Sequence, residues 1–192
     1  MIAIVKYNAG NITSVKNAVE RLGYSCIVTD DETILKLAEK VIFPGVGEAS
    51  SAMKYLKGKG LDEIIKNLTQ PVLGICLGQQ LLCQFSEEGN TECLGIFEAT
   101  VKKFEPKLKV PHMGWNNISK LNSELYNGIS ADENFYFVHS FYAEISQETT
   151  SVCDYIVPFS ASMQKDNFYA TQFHPEKSSS VGEQLLLNFL KL

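Results

Sequence analysis

The sequence predicts an α/β fold: a mixed, largely parallel central sheet with flanking helices, extended by an additional, mostly antiparallel β region in the second half. Three observations predict it. The first half alternates apolar runs of strand length with stretches whose apolar residues recur at helical spacing. The second half carries short β-type stretches in which helical periodicity nearly vanishes. Glycine-bearing turns follow the apolar runs, as Pro44-Gly45-Val46-Gly47 follows Val41-Ile42-Phe43, at the strand ends where such sheets collect ligands.

Ile2 to Val5 is a near-continuous apolar strand, followed by a turn at Tyr7 to Asn11 and a helix with Ile12, Val15, Val19 and Leu22 on one face, ended by Gly23. A strand at Ser25 to Thr29, a helical stretch near Ile34 to Ala38 and the strand Val41 to Phe43 continue the alternation. Helices around Ser50 to Leu56 and Leu61 to Leu68 lead to Val72 to Ile75, a buried-strand run, after which Leu77, Leu81, Leu82 and Phe85 have the spacing of a buried helix face. β stretches follow near Ile96 to Phe104, Asn116 to Ser119, Phe135 to His139, Tyr142 to Ile145, Tyr155 to Ala161 and Tyr169 to Phe173, with a turn around Ser123 to Tyr126. A closing helix runs from about Ser180 through Leu190, where Ser180 and Glu183 resemble a capping box. No repeat, low-complexity tract or linker divides the 192 residues, which read as one domain, 1–192.

The net charge of −5, with seventeen basic residues that form no run, argues against a nucleic-acid or anionic-membrane surface. Five cysteines are an odd number with no C-x-x-C pair, which argues against a disulfide framework and a zinc site and points to a reducing compartment. The N-terminus lacks the features of a signal peptide, and no apolar stretch approaches membrane-spanning length. The expectation is a soluble cytoplasmic protein whose ligands are small molecules or another protein, with no metal or cofactor.

Chemistry concentrates at Gly74-Ile75-Cys76-Leu77-Gly78, where Cys76 stands at the change from strand to helix with a glycine two residues away on either side. That is the pattern of a nucleophile elbow with sulfur as the nucleophile, and a helix start favours the thiolate. A cysteine nucleophile needs a base held by a third group. Of three histidines, His112 lies in a loop-like segment without a carboxylate at useful spacing, and His139 ends a strand as either a core histidine or a pocket wall. His174 ends the strand Tyr169 to Phe173 and precedes Pro175-Glu176. Pro175 favours an extended chain, in which residues two apart share a face, so Glu176 reaches the His174 ring. Donors for an oxyanion are the Leu77 N–H and the glycines of Pro44 to Gly47.

Gly74 to Gln80, Phe43 to Gly47 and Phe173-His174-Pro175-Glu176 together resemble the three signatures of class I (triad) glutamine amidotransferases, with their flavodoxin-like fold. Pro111-His112-Met113-Gly114-Trp115-Asn116, Tyr136 to Ser140 and Glu176 to Ser179 are similar to one branch of that family, the glutaminase subunits of imidazole glycerol phosphate synthase. The resemblance covers essentially the whole chain. It implies Cys76 as nucleophile, His174 as base and Glu176 as its orienter; an oxyanion hole at Leu77, Val46, Gly45 and Gly47; and glutamine held by Gly45, Gly47, Gln80, His139, Ser140 and Phe141. It also implies a heterodimer whose other partner is a TIM-barrel cyclase, with Asn11, Trp115, Asn116, Tyr136 and Lys177 on or near the docking face. The first loop departs from that pattern, with Lys6 and Asn8 around Tyr7 where relatives often carry an acidic residue and glycine. Two other readings compete: an inactive scaffold that only regulates a partner, and a paralogue supplying ammonia to another synthase, such as one aminating a nucleotide sugar for a surface polysaccharide.

Overall fold

In the computed structural model, which describes residues 1–192, β1 (Ile2–Val5), β2 (Cys26–Thr29), β3 (Lys40–Gly45) and β4 (Val72–Cys76) alternate with α1 (Ile12–Arg21), α2 (Glu32–Leu37), α3 (Ala49–Lys59) and α4 (Leu61–Lys66). They form one side of a seven-stranded sheet, completed from the second half by β11 (Thr149–Tyr155), β12 (Val157–Lys165) and β13 (Phe168–Thr171), in the order β11-β12-β13-β4-β3-β1-β2. The pairs from β13 to β2 are parallel, and the two pairs that join β11 and β12 are antiparallel.

Alternation along each strand builds a core on both faces of this sheet. Ala3, Val5, Val41, Phe43 and Val72 face one apolar layer with α3 and α4, whereas Ile2, Ile4, Ile42, Leu73 and Ile75 face the other, which holds α1 and the closing helix α6 (Ser179–Lys191). No helix is long and apolar enough to cross a membrane.

Several local expectations are overturned. The helix after Cys76, α5 (Leu77–Leu82), lasts six residues, and Phe85 lies in a strand, β5 (Cys83–Ser86). The carbonyls of Leu81, Leu82 and Cys83 accept hydrogen bonds from the N–H groups of Leu94, Ile96 and Gly95, which diverts the chain from a further helical turn. β5 pairs with β6 (Thr91–Glu92) and β7 (Phe97–Lys103), and β10 (Phe141–Ala143) completes that second sheet. The strand expected at Asn116 to Ser119 is β8 (His112–Asn117), so the segment of His112 and Trp115 is not a loop; it pairs antiparallel with β9 (Asn134–His139). The Ser180–Glu183 capping box does not form. Helix α6 starts at Ser179, and the hydroxyl of the residue before it, Ser178, donates to the His174 carbonyl at 2.6 Å instead.

Candidate active site

Cys76 ends β4 with φ 56° and ψ −106°, a conformation that costs a side-chain-bearing residue on the order of 1–3 kcal/mol. The flanking glycines make it possible. A Cβ on Gly78 would stand 1.8 Å from the Phe43 carbonyl oxygen, and one on Gly74 would stand 2.7 Å from Leu82 Cδ1. Only bare backbone lets α5 start against β3 and β4. Cys76 is buried, its Sγ 3.6 Å from the amide nitrogen of Gln172 and 3.9 Å from the Val138 carbonyl.

The sheet register delivers the other groups to the same edge. Gly45 pairs with Cys76 across β3 and β4, Thr171 pairs with Ile75, and the chain beyond β13 carries His174 to the carboxyl end of the sheet. The backbone around His174 is anchored on both sides: its N–H donates to the Tyr136 carbonyl at 2.9 Å, and Ser178 holds its carbonyl. Pro175 does not keep the chain extended. It opens a 3-10 turn, Pro175–Lys177, and this turn, rather than a strand-like alternation, returns Glu176 to the ring, Oε1 to Nδ1 2.7 Å, with both side chains fully buried. A Cβ on Gly182 would lie 1.9 Å from the Pro175 carbonyl, so α6 packs directly on the turn.

The second imidazole nitrogen, Nε2, has no hydrogen-bond partner in the chain. Burial opposes charge on His174, but the Cys76 sulfur and Glu176 outweigh it and push its pKa up to about 10. The charged imidazolium is the state of His174 this favours at neutral pH.

A cavity of about 260 Å³ opens over Cys76. Its lining includes Val46, Gly47, Leu77 and Gln80 on one side and His139, Ser140 and Phe141 on the other. Gly45 lies beneath, against Tyr7: a Cβ there would meet the tyrosine hydroxyl at 1.9 Å. Gln80 uses its amide nitrogen on the Phe141 carbonyl and on Gln172 Oε1, at 3.0 and 2.9 Å. Sequence reasoning missed Glu88, the only carboxylate lining the cavity. It accepts from the Ala49 N–H at 2.8 Å, and burial raises its pKa. In the sequence it stands in Glu87-Glu88-Gly89-Asn90, which reads as a solvated turn. No three His, Cys, Asp or Glu side chains gather as a metal site.

Of the residues assigned to docking, Trp115 and Tyr136 pair across β8 and β9 and share one face, with Trp115 55% exposed and Lys177 exposed. Asn116 lies on the opposite face, where its amide approaches His112 and the Asp154 carbonyl. The Asn11 side chain turns to His174 and Glu176, its amide nitrogen 2.5 Å from Glu176 Oε1.

Residues 3–192 match the family glutamine amidotransferase class-I. The chain belongs to that family. It is 60% identical over 194 residues to the imidazole glycerol phosphate synthase subunit HisH of Bacteroides fragilis, covering 100% of this chain and 99% of the relative. It is 44% identical to HisH of Vibrio cholerae, covering 100% and 98%. Among solved structures, a glutamine amidotransferase superposes with a TM-score of 0.76 at 18% identity, covering 100% of this chain and 98% of that one, and PurLQS from Thermotoga maritima with 0.74 at 16%, covering 99% and 97%. At such identities these structures share the amidotransferase fold.

Proposed function

We propose that the chain is the glutaminase subunit of an imidazole glycerol phosphate synthase, hydrolysing L-glutamine to glutamate and ammonia through a cysteinyl thioester. The observation that carries this reading is the convergence of Cys76, His174 and Glu176 beneath one small cavity, in a chain whose relatives bearing that subunit name match it from end to end.

The Cys76 thiolate attacks the side-chain amide carbon, and the oxyanion receives N–H groups from Leu77 and from the Gly45 to Gly47 strand, Val46 included. The His174 imidazolium gives its Nε2 proton to the departing nitrogen, which leaves as ammonia and the thioester behind. His174, now neutral, takes a proton from water as it attacks the thioester, and glutamate departs with Cys76 restored. Glu176 fixes the ring tautomer throughout. The glutamine backbone lies along Gln80 and His139 to Phe141, with Glu88 receiving its α-ammonium.

Ammonia freed into neutral water is mostly protonated and loses its nucleophilicity, so a shielded exit is required. A TIM-barrel cyclase subunit supplies it, forming a heterodimer over the face of Trp115 and Tyr136. There ammonia is incorporated and imidazole glycerol phosphate and aminoimidazole carboxamide ribotide are made, a step of histidine biosynthesis. The five unpaired cysteines support a cytoplasmic setting.

Two substitutions separate the functions. Cys76→Ala abolishes glutamine hydrolysis and leaves cyclase binding intact; turnover at the wild-type rate refutes the triad. Trp115→Ala, at an exposed position, weakens co-elution with the cyclase while the melting temperature stays within about 2 °C, since surface changes cost little. A lower melting temperature with unchanged co-elution removes Trp115 from the interface.

A further inference from the structure

Beside the cavity lie two buried histidines whose hydrogen bonds admit one direction only. His139 Nδ1 is 2.7 Å from the Phe141 carbonyl, which only accepts, so Nδ1 carries the hydrogen. The Nε2 of a neutral His139 is then an acceptor, and it faces His112 Nδ1 at 2.9 Å, which must donate. His112 Nε2 is left as acceptor for the Asn116 amide nitrogen at 3.4 Å. Burial supports the neutral rings, holding His112 at a pKa of about 4 and His139 at about 3.

The opposite arrangement is excluded by contact. With the hydrogen on His139 Nε2, the bare Nδ1 would set its lone pair against the Phe141 oxygen, and His112 Nδ1 would have to accept, which turns the hydrogen of its Nε2 toward the Asn116 amide nitrogen, itself a donor. Neither ring is free to turn away. His112 is stacked between Tyr155, at 4.0 Å and 15°, and Phe137, at 4.9 Å and 24°; His139 is wedged against Phe159 and Phe104.

The Phe141 carbonyl is also where Gln80 donates, and Gln80 spends its remaining amide hydrogen on Gln172 Oε1, which leaves the Gln172 nitrogen as the donor toward Cys76 Sγ. One carbonyl therefore joins the wall formed by His139 to Phe141 to the helix that follows the nucleophile.

We propose that His112 is a positioning residue for glutamine: by donating to His139 it fixes the tautomer that holds the Phe141 carbonyl, and through it Gln80 and the Ser140–Phe141 wall, in the geometry that receives the substrate. This rests on the amidotransferase reading. His112 itself does not line the cavity and acts only through His139.

Two measurements test it. In uniformly ¹⁵N-labelled protein, ring nitrogen spectra report the His139 tautomer; in a Cys76→Ala background, calorimetry reports the affinity for L-glutamine. His112→Phe keeps the ring stack and removes the donor. The expected result is a single Nδ1–H tautomer in the parent, loss of that single state in His112→Phe, and glutamine affinity weakened by about five- to ten-fold, the scale of one buried hydrogen bond. His112→Asn, whose amide nitrogen reaches the position of Nδ1, restores both in large part. An unchanged tautomer, or affinity within about two-fold in His112→Phe, overturns the proposal alone. A Cys76→Ala protein that binds no L-glutamine overturns the amidotransferase reading and the positioning role together.

Discussion

The amide nitrogen of Asn11 lies 2.5 Å from Oε1 of Glu176, the same oxygen that holds His174 Nδ1 at 2.7 Å. The other carboxylate oxygen, Oε2, is buried without a partner, so the orientation of the Glu176 carboxylate depends on these two donors. Asn11 stands at the start of α1 with a left-handed φ of 71° and makes no cap for its own helix. Its side chain holds Glu176 instead.

Replacing Asn11 by glycine removes that amide while keeping a residue suited to positive φ. The expected outcome is a kcat lowered about ten-fold with the glutamine KM little changed, because one hydrogen bond to a charged orienting group is lost. Steady-state glutaminase assays on the cyclase complex decide it, and an unaltered kcat shows that Glu176 does not depend on Asn11 for its orientation.

The strained backbone at Cys76 predicts an opposition between stability and activity. Cys76→Gly unfolds at higher urea than Cys76→Ala, by about 1–2 kcal/mol, since glycine tolerates a φ of 56° and alanine does not. Equal midpoints for the two inactive variants would show that the elbow stores no strain.

Glu88→Gln removes the only carboxylate from the cavity lining. KM for glutamine should rise roughly ten-fold or more, the scale of a charge-assisted hydrogen bond, with kcat largely preserved. A KM that does not move assigns the α-ammonium to other groups.

Stability should fall with acid on account of the histidine pair. Both folded-state pKa values, about 4 for His112 and about 3 for His139, lie below the unfolded value, so their contribution is complete above about pH 6.5 and declines as the pH drops toward 4 and 3, by up to about 1.4 kcal/mol per pH unit for each ring. His174 has the opposite sign: its raised pKa contributes stability that is present below pH 6.5 and lost as the pH rises toward about 10. Urea midpoints between pH 7 and pH 5 should therefore fall more steeply in the wild type than in His112→Phe, and parallel slopes would contradict the neutral pair.

The elbow was legible because its constraint is local: glycines two residues from Cys76 announce a turn on which backbone alone fits. His174 and Glu176 were legible by spacing, although a 3-10 turn, not an extended chain, joins them. What stayed hidden lies far apart in sequence, such as Asn11 with Glu176 and Gln172 with Cys76, 165 and 96 residues distant. β11 was largely missed for a different reason. Its Thr149, Thr150 and Ser151 are polar by composition, yet their hydroxyls are satisfied across the sheet by Ser160 and Ser162, so the strand is buried without an apolar pattern. The first four residues of β8 hid likewise, because the inward face of that strand is His112, Gly114 and Asn116.

The 1.8 Å between a Cβ at position 78 and the Phe43 carbonyl separates what selection on the fold preserves from what selection on the reaction preserves. A gene copy that drifts into a purely regulatory role is free to lose Cys76, and gains stability if glycine replaces it, but it must keep Gly78 for as long as the sheet assembles. In a degenerate descendant, then, glycine at 78 without cysteine at 76 would be the fossil of an abandoned enzyme, and loss of that glycine would mark the abandonment of the architecture itself.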